Sequence, residues 1–188
     1  MSLKHALLGF LNYGSMSGYD LKQCFDQSIQ HFWSANLSQI YPTLSQLEEE
    51  GLLTMEVAYQ EDRPNRKVYH ITEAGRAELR RWLREPMETP PQRQPFLVKV
   101  FFGGNIAKED LLAQLRCQLS LHKEQVSAYQ GPVRKVLQQY IEATGLAQEG
   151  LFWGLTLEAG IKQKKAWIEW LEEAIVKIES LDMPVTKD

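Results

Sequence analysis

The feature that most constrains the fold of this chain is a helical pattern followed at once by a strand–turn–strand pattern, between Ser34 and Gly75. From Ser34 to Glu50 apolar residues recur at helical spacing, and Gly51 is placed to end the helix. The apolar positions that we expect to face a core are Leu37, Ile40, Tyr41, Leu44 and Leu47. At about 100° per residue, the opposite side of the helix carries Ser38, Gln39, Pro42, Ser45 and Gln46.

These five opposite residues form a face that is uncharged, short and rich in hydrogen-bonding groups. Such a face suits the major groove of DNA, where Ser and Gln meet base edges and a Gln can bond an adenine with two contacts. The acidic run Glu48, Glu49, Glu50 lies at the far end, so we expect the N-terminal part of the helix to approach the duplex. Pro42 predicts a slight kink or a tight first turn. The alternative is an ordinary solvent-exposed helix, which the helix alone favours.

A β-hairpin with a basic tip is predicted directly after this helix. Leu52–Tyr59 and Lys67–Thr72 have the composition of strands, and Gln60–Arg66 between them contains the turn formers Asp, Pro and Asn. The basic residues in and beside the tip are Arg63, Arg66 and Lys67, which can reach phosphates or a minor groove. A basic hairpin tip is usually only solvated, but its position after a polar-faced helix favours a DNA-binding wing.

Three further helices are predicted around this unit. Leu3–Tyr13 has Leu3, Leu7, Leu8, Phe10 and Leu11 as buried candidates. The next helix carries Tyr19, Leu21, Cys24, Phe25 and Ile29 on one side, with Ser17 as a cap and Asp20 in its first turn. After the hairpin, Thr72–Glu85 places Leu79, Trp82 and Leu83 on one side. The order of helix, helix, helix, strand, strand, helix is that of a winged helix-turn-helix.

The strings SGYDLKQCFDQSIQHFWSANLSQIYPTLSQLEEEGLL and RPNRKVYHITEAGRAELRRWL resemble the N-terminal domain of the PadR family of bacterial transcriptional regulators. The stretches FLVKVFF and AWIEWLEE resemble the branch that contains virulence activators and phenolic-acid-responsive repressors. This resemblance implies a dimer on an inverted-repeat operator, with the third helix in the major groove and the wing at the flanking minor groove. It favours a repressor and leaves an activator open. It also implies that Tyr41 is a candidate phosphate contact, although the spacing of Tyr41 equally allows a core residue.

The C-terminal half is predicted to be helical and separated from the first domain, residues 1–85, by a proline-rich connector at residues 86–95. In residues 96–188, helices are expected at Ala107–Gln130 and Val133–Ala143, with a break at Gly131–Pro132, and finally from Gly150 to Leu181. A second copy of the chain is the simplest cover for the last helix, and a self-contained bundle is the alternative. The candidate dimerisation residues are Leu155, Ile161, Trp167, Ile168, Leu171 and Ile175. The expected fold class is therefore mainly α with a small β-hairpin: an N-terminal winged helix-turn-helix and a C-terminal helical dimerisation domain.

An effector site in the C-terminal half is also possible from its aromatic content. Aromatic surface for a planar ligand is offered by Trp153, Trp167, Trp170, Phe152 and Tyr140, and His122 or Lys165 offers a partner for a carboxylate. Core and dimer packing is the preferred interpretation of these residues. The family resemblance permits an aromatic or phenolic small-molecule effector without identifying one.

Composition requires that any DNA binding depend on local basic patches, because the formal net charge is -3. The arginines at positions 76, 80, 81 and 84 can contribute, although a solvated helix face is the favoured interpretation. No signal peptide and no membrane span is recognised, and Cys24 and Cys117 are expected to be buried free thiols in a reducing cytoplasm.

An enzyme is not indicated. The four histidines, His5, His31, His70 and His122, do not lie at metal-ligand spacing, and no nucleophile or phosphate-loop motif is present. We therefore expect no cofactor and no metal. The remaining alternatives to a DNA-binding repressor are a winged-helix module that binds another protein, and an activator of the virulence-activator type that has no small-molecule effector.

Overall fold

Eight α-helices and three short strands make up the part of the chain that the computed structural model describes, which is residues 2–29, 32–59, 65–87 and 93–181. The chain forms two compact units, Met1–Thr89 and Pro90–Asp188. The first contains α1 (Ser2–Tyr13), β1 (Met16–Ser17), α2 (Gly18–Cys24), α3 (Leu37–Glu49), β2 (Leu53–Ala58), β3 (Arg66–Ile71) and α4 (Glu73–Arg84). The second contains α5 (Pro95–Phe101), α6 (Lys108–Ala128), α7 (Arg134–Thr144) and α8 (Ala147–Glu179). None of the described helices is both long and apolar enough to cross a membrane.

The sheet of the first unit has three antiparallel strands in the order β1, β3, β2, so the predicted two-stranded ribbon was incomplete. Met16 of β1 and Met55 of β2 both pair with Tyr69 of β3. The strand β1 has only two residues, too few for the alternation that identifies a strand in a sequence. A side-chain contact supports this pairing, since Ser15 Oγ lies 2.6 Å from His70 Nδ1.

The core of the first unit is formed by the inner faces of its helices against the sheet. Its fully buried side chains include Leu7, Leu8, Leu21, Phe25, Ile40, Leu44, Leu47 and Leu53. Four residues predicted to be in the core are instead exposed: Tyr19, Leu37, Tyr41 and Leu83. Tyr19 and Leu37 lie in the first turns of α2 and α3, and Leu83 lies in the last turn of α4, where the neighbouring elements no longer cover the helix. Leu3 and Phe10 are half-buried at the edge of the same core.

The core of the second unit lies between α6 and α8, which run antiparallel. Leu111, Leu112 and Leu115 of α6 pack with Leu171 and Ile175 of α8, and Phe96 and Val100 of α5 cover the same cluster. Charged side chains of α6 also contact the C-terminal part of α8. Arg116 pairs with Glu179 at 2.6 Å, Lys123 pairs with Glu172 at 2.7 Å, and Lys108 Nζ donates to the carbonyls of Glu179 and Leu181.

At the predicted break, Gly131–Pro132, the α-helical pattern is interrupted, but no loop forms between the two helices. A π-helical turn at Tyr129–Val133 joins α6 to α7 instead. Pro132 lies inside this π turn. The proline has no N–H, so the hydrogen bond that it cannot donate is lost within this one turn. The break lies at Gly145, which ends α7 with a φ of 70° in the left-handed region.

Candidate nucleic-acid interface

The helix α3 begins at Leu37, three residues later than the apolar spacing predicted, because Asn36 caps it. Asn36 Oδ1 accepts a hydrogen bond from the backbone N–H of Gln39 at 3.0 Å, and Gln39 Oε1 accepts one from the backbone N–H of Asn36 at 3.1 Å. This reciprocal arrangement is a capping box. Its sequence signal is an Asn followed three positions later by Gln, immediately before an apolar run. At the other end Gly51 has a φ of 71°, as expected for the residue that ends a helix.

The outer face of α3 is exposed as the helical spacing predicts. Its members are Ser38, Gln39, Pro42, Ser45 and Gln46, and we call them the polar face. The helix continues through Pro42 without interruption. Since a proline has no N–H, the carbonyl of Ser38 lacks its helical partner, and the exposure of Ser38 allows water to supply one.

Several polar groups of this face already have partners within the chain. Gln39 Oε1 caps the helix, Ser38 Oγ donates to Asn36 Oδ1 at 2.6 Å, and Gln46 Nε2 donates to Glu50 Oε1 at 2.8 Å. Gln39 keeps its amide NH₂ group and the second lone pair of Oε1 for a base in this arrangement.

Tyr41 lies at the edge of the polar face, against the first turn of α2. Its side chain is 43% exposed, which corrects the prediction of a core residue. A Cβ atom placed on Gly18 would lie 2.6 Å from Tyr41 Cε1 and 2.8 Å from Tyr41 Cζ. The close approach of the ring to α2 thus depends on the absence of a side chain at position 18. The Tyr41 ring therefore packs against α2 and is also partly exposed to solvent.

The wing cations differ in their surroundings. Arg66 begins β3, and its guanidinium Nη2 contacts the carboxylate of Asp20, so Arg66 is not the unpaired cation that the sequence suggested. Lys67 is exposed and makes no ion pair among the described residues. Arg63 lies outside the described residues. In the described part of the wing, Lys67 is the cation that phosphate can approach without first displacing a carboxylate.

Asp20 is built into the cap of α2. Its Oδ2 accepts hydrogen bonds from the backbone N–H and from Oγ of Ser17, each at 2.9 Å, and its own N–H donates to Ser17 Oγ. Partial burial by itself would raise the pKa of Asp20, but the hydrogen bonds from Ser17 and the contact with Arg66 outweigh it and hold that pKa below its ordinary value. The carboxylate is therefore ionised and fixed in place.

The arginines of α4 are largely paired on the protein surface, as the solvated interpretation expects. Arg76 donates to Asn12, Arg80 pairs with Glu73 at 2.7 Å, and Arg81 pairs with Glu78 at 2.8 Å. Hydrogen bonds from Arg81 and from the buried His5 hold the pKa of Glu78 below its ordinary value. These contacts connect α4 to α1 and give the group a structural role.

The aromatic residues predicted for an effector site fall into two separate pairs. Tyr140 and Trp153 have ring centroids 5.6 Å apart, and His122 and Trp167 have ring centroids 5.8 Å apart. Trp153 and Trp167 are fourteen positions apart on α8, which corresponds to roughly 21 Å along a helix. One small ligand cannot contact both pairs, so the predicted site does not exist as a single cluster.

Sequence analysis offered Lys165 as a carboxylate partner, whereas the lysine whose charge acts on His122 is Lys164. Lys165 is exposed, whereas its neighbour Lys164 is half-buried. Burial lowers the pKa of Lys164, and burial together with the charge of Lys164 lowers the pKa of His122. Two groups that can be cationic therefore lie near Trp167. Only the packing of α6 against α8 brings them together, and no spacing within the sequence shows this.

The candidate dimerisation residues do not share one exposed surface. Ile161, Leu171 and Ile175 are buried within their own chain, which agrees with the alternative of a self-contained bundle for these positions. Trp167 and Ile168 are half-buried, and Leu155 is 52% exposed. The large apolar residues that α8 leaves exposed are Leu151, Phe152, Leu155 and Val176.

The two cysteines also differ from the prediction. Cys117 is exposed on α6, while Cys24 is half-buried with its Sγ 3.7 Å from Met16 Sδ. Burial raises the pKa of the Cys24 thiol, and the charge of Asp20 raises it further. The described residues contain no group of three or more His, Cys, Asp or Glu side chains that could hold a metal ion.

Comparison with known proteins decides what kind of protein carries these features. The model of the transcriptional regulator PadR-like family matches residues 7–81, and the model of the virulence activator alpha C-terminal domain matches residues 92–179. The negative transcriptional regulator PadR of Bacillus subtilis is 30% identical over 94% of this chain and 97% of its own length. The chain belongs to the PadR-like family. It is thus a DNA-binding transcriptional regulator with a winged helix, as its sequence predicted.

Solved structures of PadR-like regulators cover both units of this chain. Bacillus subtilis PadR in complex with operator DNA has a TM-score of 0.80 and 30% identity, over 95% of this chain and 99% of that one. The same relative in complex with p-coumaric acid has a TM-score of 0.74. The Vibrio cholerae virulence activator AphA has a TM-score of 0.69 and 29% identity, over 95% of this chain and 98% of that one.

Proposed function

We propose that this PadR-like regulator represses transcription as a homodimer bound to an inverted-repeat operator. In this proposal α3 enters the major groove with its polar face, and the wing contacts phosphates or the adjacent minor groove. The observation that carries it is the uncharged, exposed polar face of α3 beside a wing with the exposed cation Lys67. The relative solved with operator DNA supports the same use of this unit. Such a regulator acts where the DNA is, in the cytoplasm.

The proposal of a dimer depends on how much DNA one winged helix can read. A single recognition helix contacts only a few base pairs, whereas two half-sites about one helical turn apart multiply the specificity. A dimer also provides a cover for exposed apolar residues of α8 such as Phe152 and Leu155. We therefore assign the C-terminal unit to dimerisation, through these exposed residues rather than through the buried ones.

A phenolic or other aromatic acid is proposed as an effector, because a relative has been solved with p-coumaric acid. Of the two aromatic pairs, His122 and Trp167 fit an acid better, since the Lys164 side chain beside His122 can pair with a carboxylate. Binding would change DNA affinity only if the ligand prefers one arrangement of the dimer. Titration with p-coumaric acid should quench tryptophan fluorescence, and Trp167→Phe should lose more of that signal than Trp153→Phe.

Two other functions compete with repression. The similarity to a virulence activator keeps activation open for the same DNA-binding unit. A protein-binding winged helix would use the polar face of α3 differently. The salt dependence of binding distinguishes this last alternative. Affinity that depends on phosphate contacts falls steeply as the salt concentration rises, whereas the affinity of an apolar protein contact does not.

The first test selects genomic fragments with the purified protein and then titrates the best fragment by fluorescence anisotropy at several salt concentrations. We expect a palindromic site bound by two chains, with affinity that falls as salt rises. Absence of any enriched fragment, with and without p-coumaric acid, would refute the proposal. A reporter gene placed behind the selected site then distinguishes repression from activation.

Variants of the polar face and the wing test the two parts of the interface separately. Gln39→Glu keeps the oxygen that caps α3 but replaces the amide donor, so the preferred bases should change. Gln138→Glu on α7 is the matched control for the added charge and should leave the base preferences unchanged. Arg66→Ala should weaken binding to all DNA sequences about equally. It should also reduce the slope of log affinity against log salt concentration by up to about 0.9. Unchanged base preferences in Gln39→Glu would remove Gln39 from the interface.

A further inference from the structure

We propose that Asp20 competes with DNA phosphate for the Arg66 guanidinium and thereby lowers the DNA affinity of this regulator. The inference rests on the proposed function, because it concerns how Arg66 of the wing binds DNA. Asp20 belongs to neither the recognition helix nor the wing. It lies in the first turn of α2, where sequence analysis noted it only as an acidic residue beside the Ser17 cap.

The contact is specific and well supported on the carboxylate side. Asp20 Oδ2 receives Arg66 Nη2 together with the backbone N–H and Oγ of Ser17. Three donors therefore converge on one oxygen atom. Two of them come from the cap of α2, so the carboxylate keeps its position whether or not Arg66 is present. The arginine side is 45% exposed and can leave.

The position of the pair places it in the proposed interface. Gly18 is two residues before Asp20 and touches the Tyr41 ring of α3, while Arg66 opens the strand that leads out of the wing. The first turn of α2 thus contacts the recognition helix on one side and the wing on the other. A phosphate that approaches Arg66 therefore meets the negative charge of Asp20 as well.

Competition has a defined consequence for binding. When phosphate takes Arg66, the charge of Asp20 is left uncompensated and attracts a cation from solution. The number of ions released on binding is then smaller than the number of phosphates contacted. The affinity therefore falls less steeply with salt than the number of cations in the wing predicts. Removal of the carboxylate frees Arg66 in advance. DNA should then bind more tightly and with a steeper dependence on salt.

The experiment measures four proteins: wild type, Asp20→Asn, Arg66→Gln and the double variant. Each is titrated by anisotropy against the selected operator fragment and a scrambled duplex at several salt concentrations. Asp20→Asn should bind both duplexes about two- to five-fold more tightly, the range that corresponds to a surface ion pair. Its salt slope should be steeper by up to about 0.9. In the Arg66→Gln background the same substitution should have a much smaller effect.

The controls separate competition from a general change in charge or folding. Asp26→Asn removes the same charge from an exposed carboxylate that pairs with Lys22 on the next turn, and it should leave DNA affinity nearly unchanged. Asn at position 20 retains an oxygen for the Ser17 N–H, and Asp20→Gln is a second variant that keeps an amide oxygen at this position of the capping box. Circular dichroism and thermal melting confirm that each variant folds.

The outcomes distinguish this inference from the function on which it rests. Unchanged or weaker binding by Asp20→Asn overturns the competition, and so does an equal gain in the Arg66→Gln background or in Asp26→Asn. If wild type binds no duplex in a salt-dependent way, the proposed function itself fails and the role of Asp20 fails with it. Tighter binding that requires Arg66 supports the inference.

Discussion

The substitution Gly18→Ala tests whether the close contact between α2 and α3 positions the interface. The new Cβ would lie 2.6 Å and 2.8 Å from two ring carbons of Tyr41. Carbon atoms in ordinary contact are about 3.5–4.0 Å apart, so the Tyr41 ring must retreat by roughly 1 Å. The backbone of Gly18 does not obstruct the alanine, because its φ is not positive. The whole effect should therefore come from the displaced ring.

The expected losses of stability and of DNA affinity are both modest, each on the order of 1 kcal/mol. Overpacking costs about 1–3 kcal/mol, and the partial exposure of Tyr41 lets its ring swing outward, which favours the lower end. For a unit the size of Met1–Thr89, about 1 kcal/mol corresponds to a fall in Tm of roughly 4–8 °C. If the Tyr41 hydroxyl loses a phosphate contact, operator affinity should fall about 2- to 12-fold.

The assay combines thermal melting with anisotropy titration of the selected operator. Gly9→Ala in α1 is the matched control, since no atom lies within 4 Å of its Cβ position, and it should bind the operator like wild type. In a Tyr41→Ala background the alanine at position 18 has no ring to displace. Gly18→Ala should then add little further loss. Full operator affinity in Gly18→Ala, or an equal loss in both backgrounds, would refute the reasoning.

Three further predictions concern stability and reactivity. Gly75→Ala should lower the Tm more than Gly18→Ala does, because its Cβ would lie 2.2 Å from the backbone oxygen of Leu52, which cannot move aside as a side chain can. Cys117 should react with iodoacetamide at pH 8 faster than Cys24, whose raised pKa and burial reduce its reactive thiolate; equal rates by mass spectrometry would contradict this. Glu78→Gln should lower the Tm at neutral pH. The difference should be full above the ordinary glutamate pKa and should be lost as the pH falls through the lowered pKa of Glu78 in the folded state; a difference that persists in stronger acid would contradict the ionic role.

The local patterns of this chain were sufficient to predict most of its elements. The polar face of α3 follows from 100° spacing alone, and the ends of that helix follow from Asn36 and Gly51 once the capping box is recognised. The hairpin was predictable because its strands and turn formers are contiguous in the chain. Each of these features depends on residues within a few positions of one another.

The features that sequence analysis missed depend on contacts between distant segments. The pair Asp20 and Arg66 joins positions 46 residues apart, and β1 exists only because β3 lies beside it. The separation of Trp153 from Trp167 follows from their places along one helix, but their partners Tyr140 and His122 come from two other helices. Side-chain type and spacing do not determine which of these groups meet.

The first turn of α2 contacts both parts of the proposed interface, the recognition helix and the wing. Gly18 fixes how closely the Tyr41 ring approaches, and Asp20 fixes where the Arg66 guanidinium rests before DNA arrives. The same turn is capped by Ser17, which also pairs with Val68 in the sheet. A change at Ser17 should therefore alter the cap, the wing and the charge of the interface together. Position 17 is thus where a mutation far from any base can change both the affinity and the salt dependence of DNA binding.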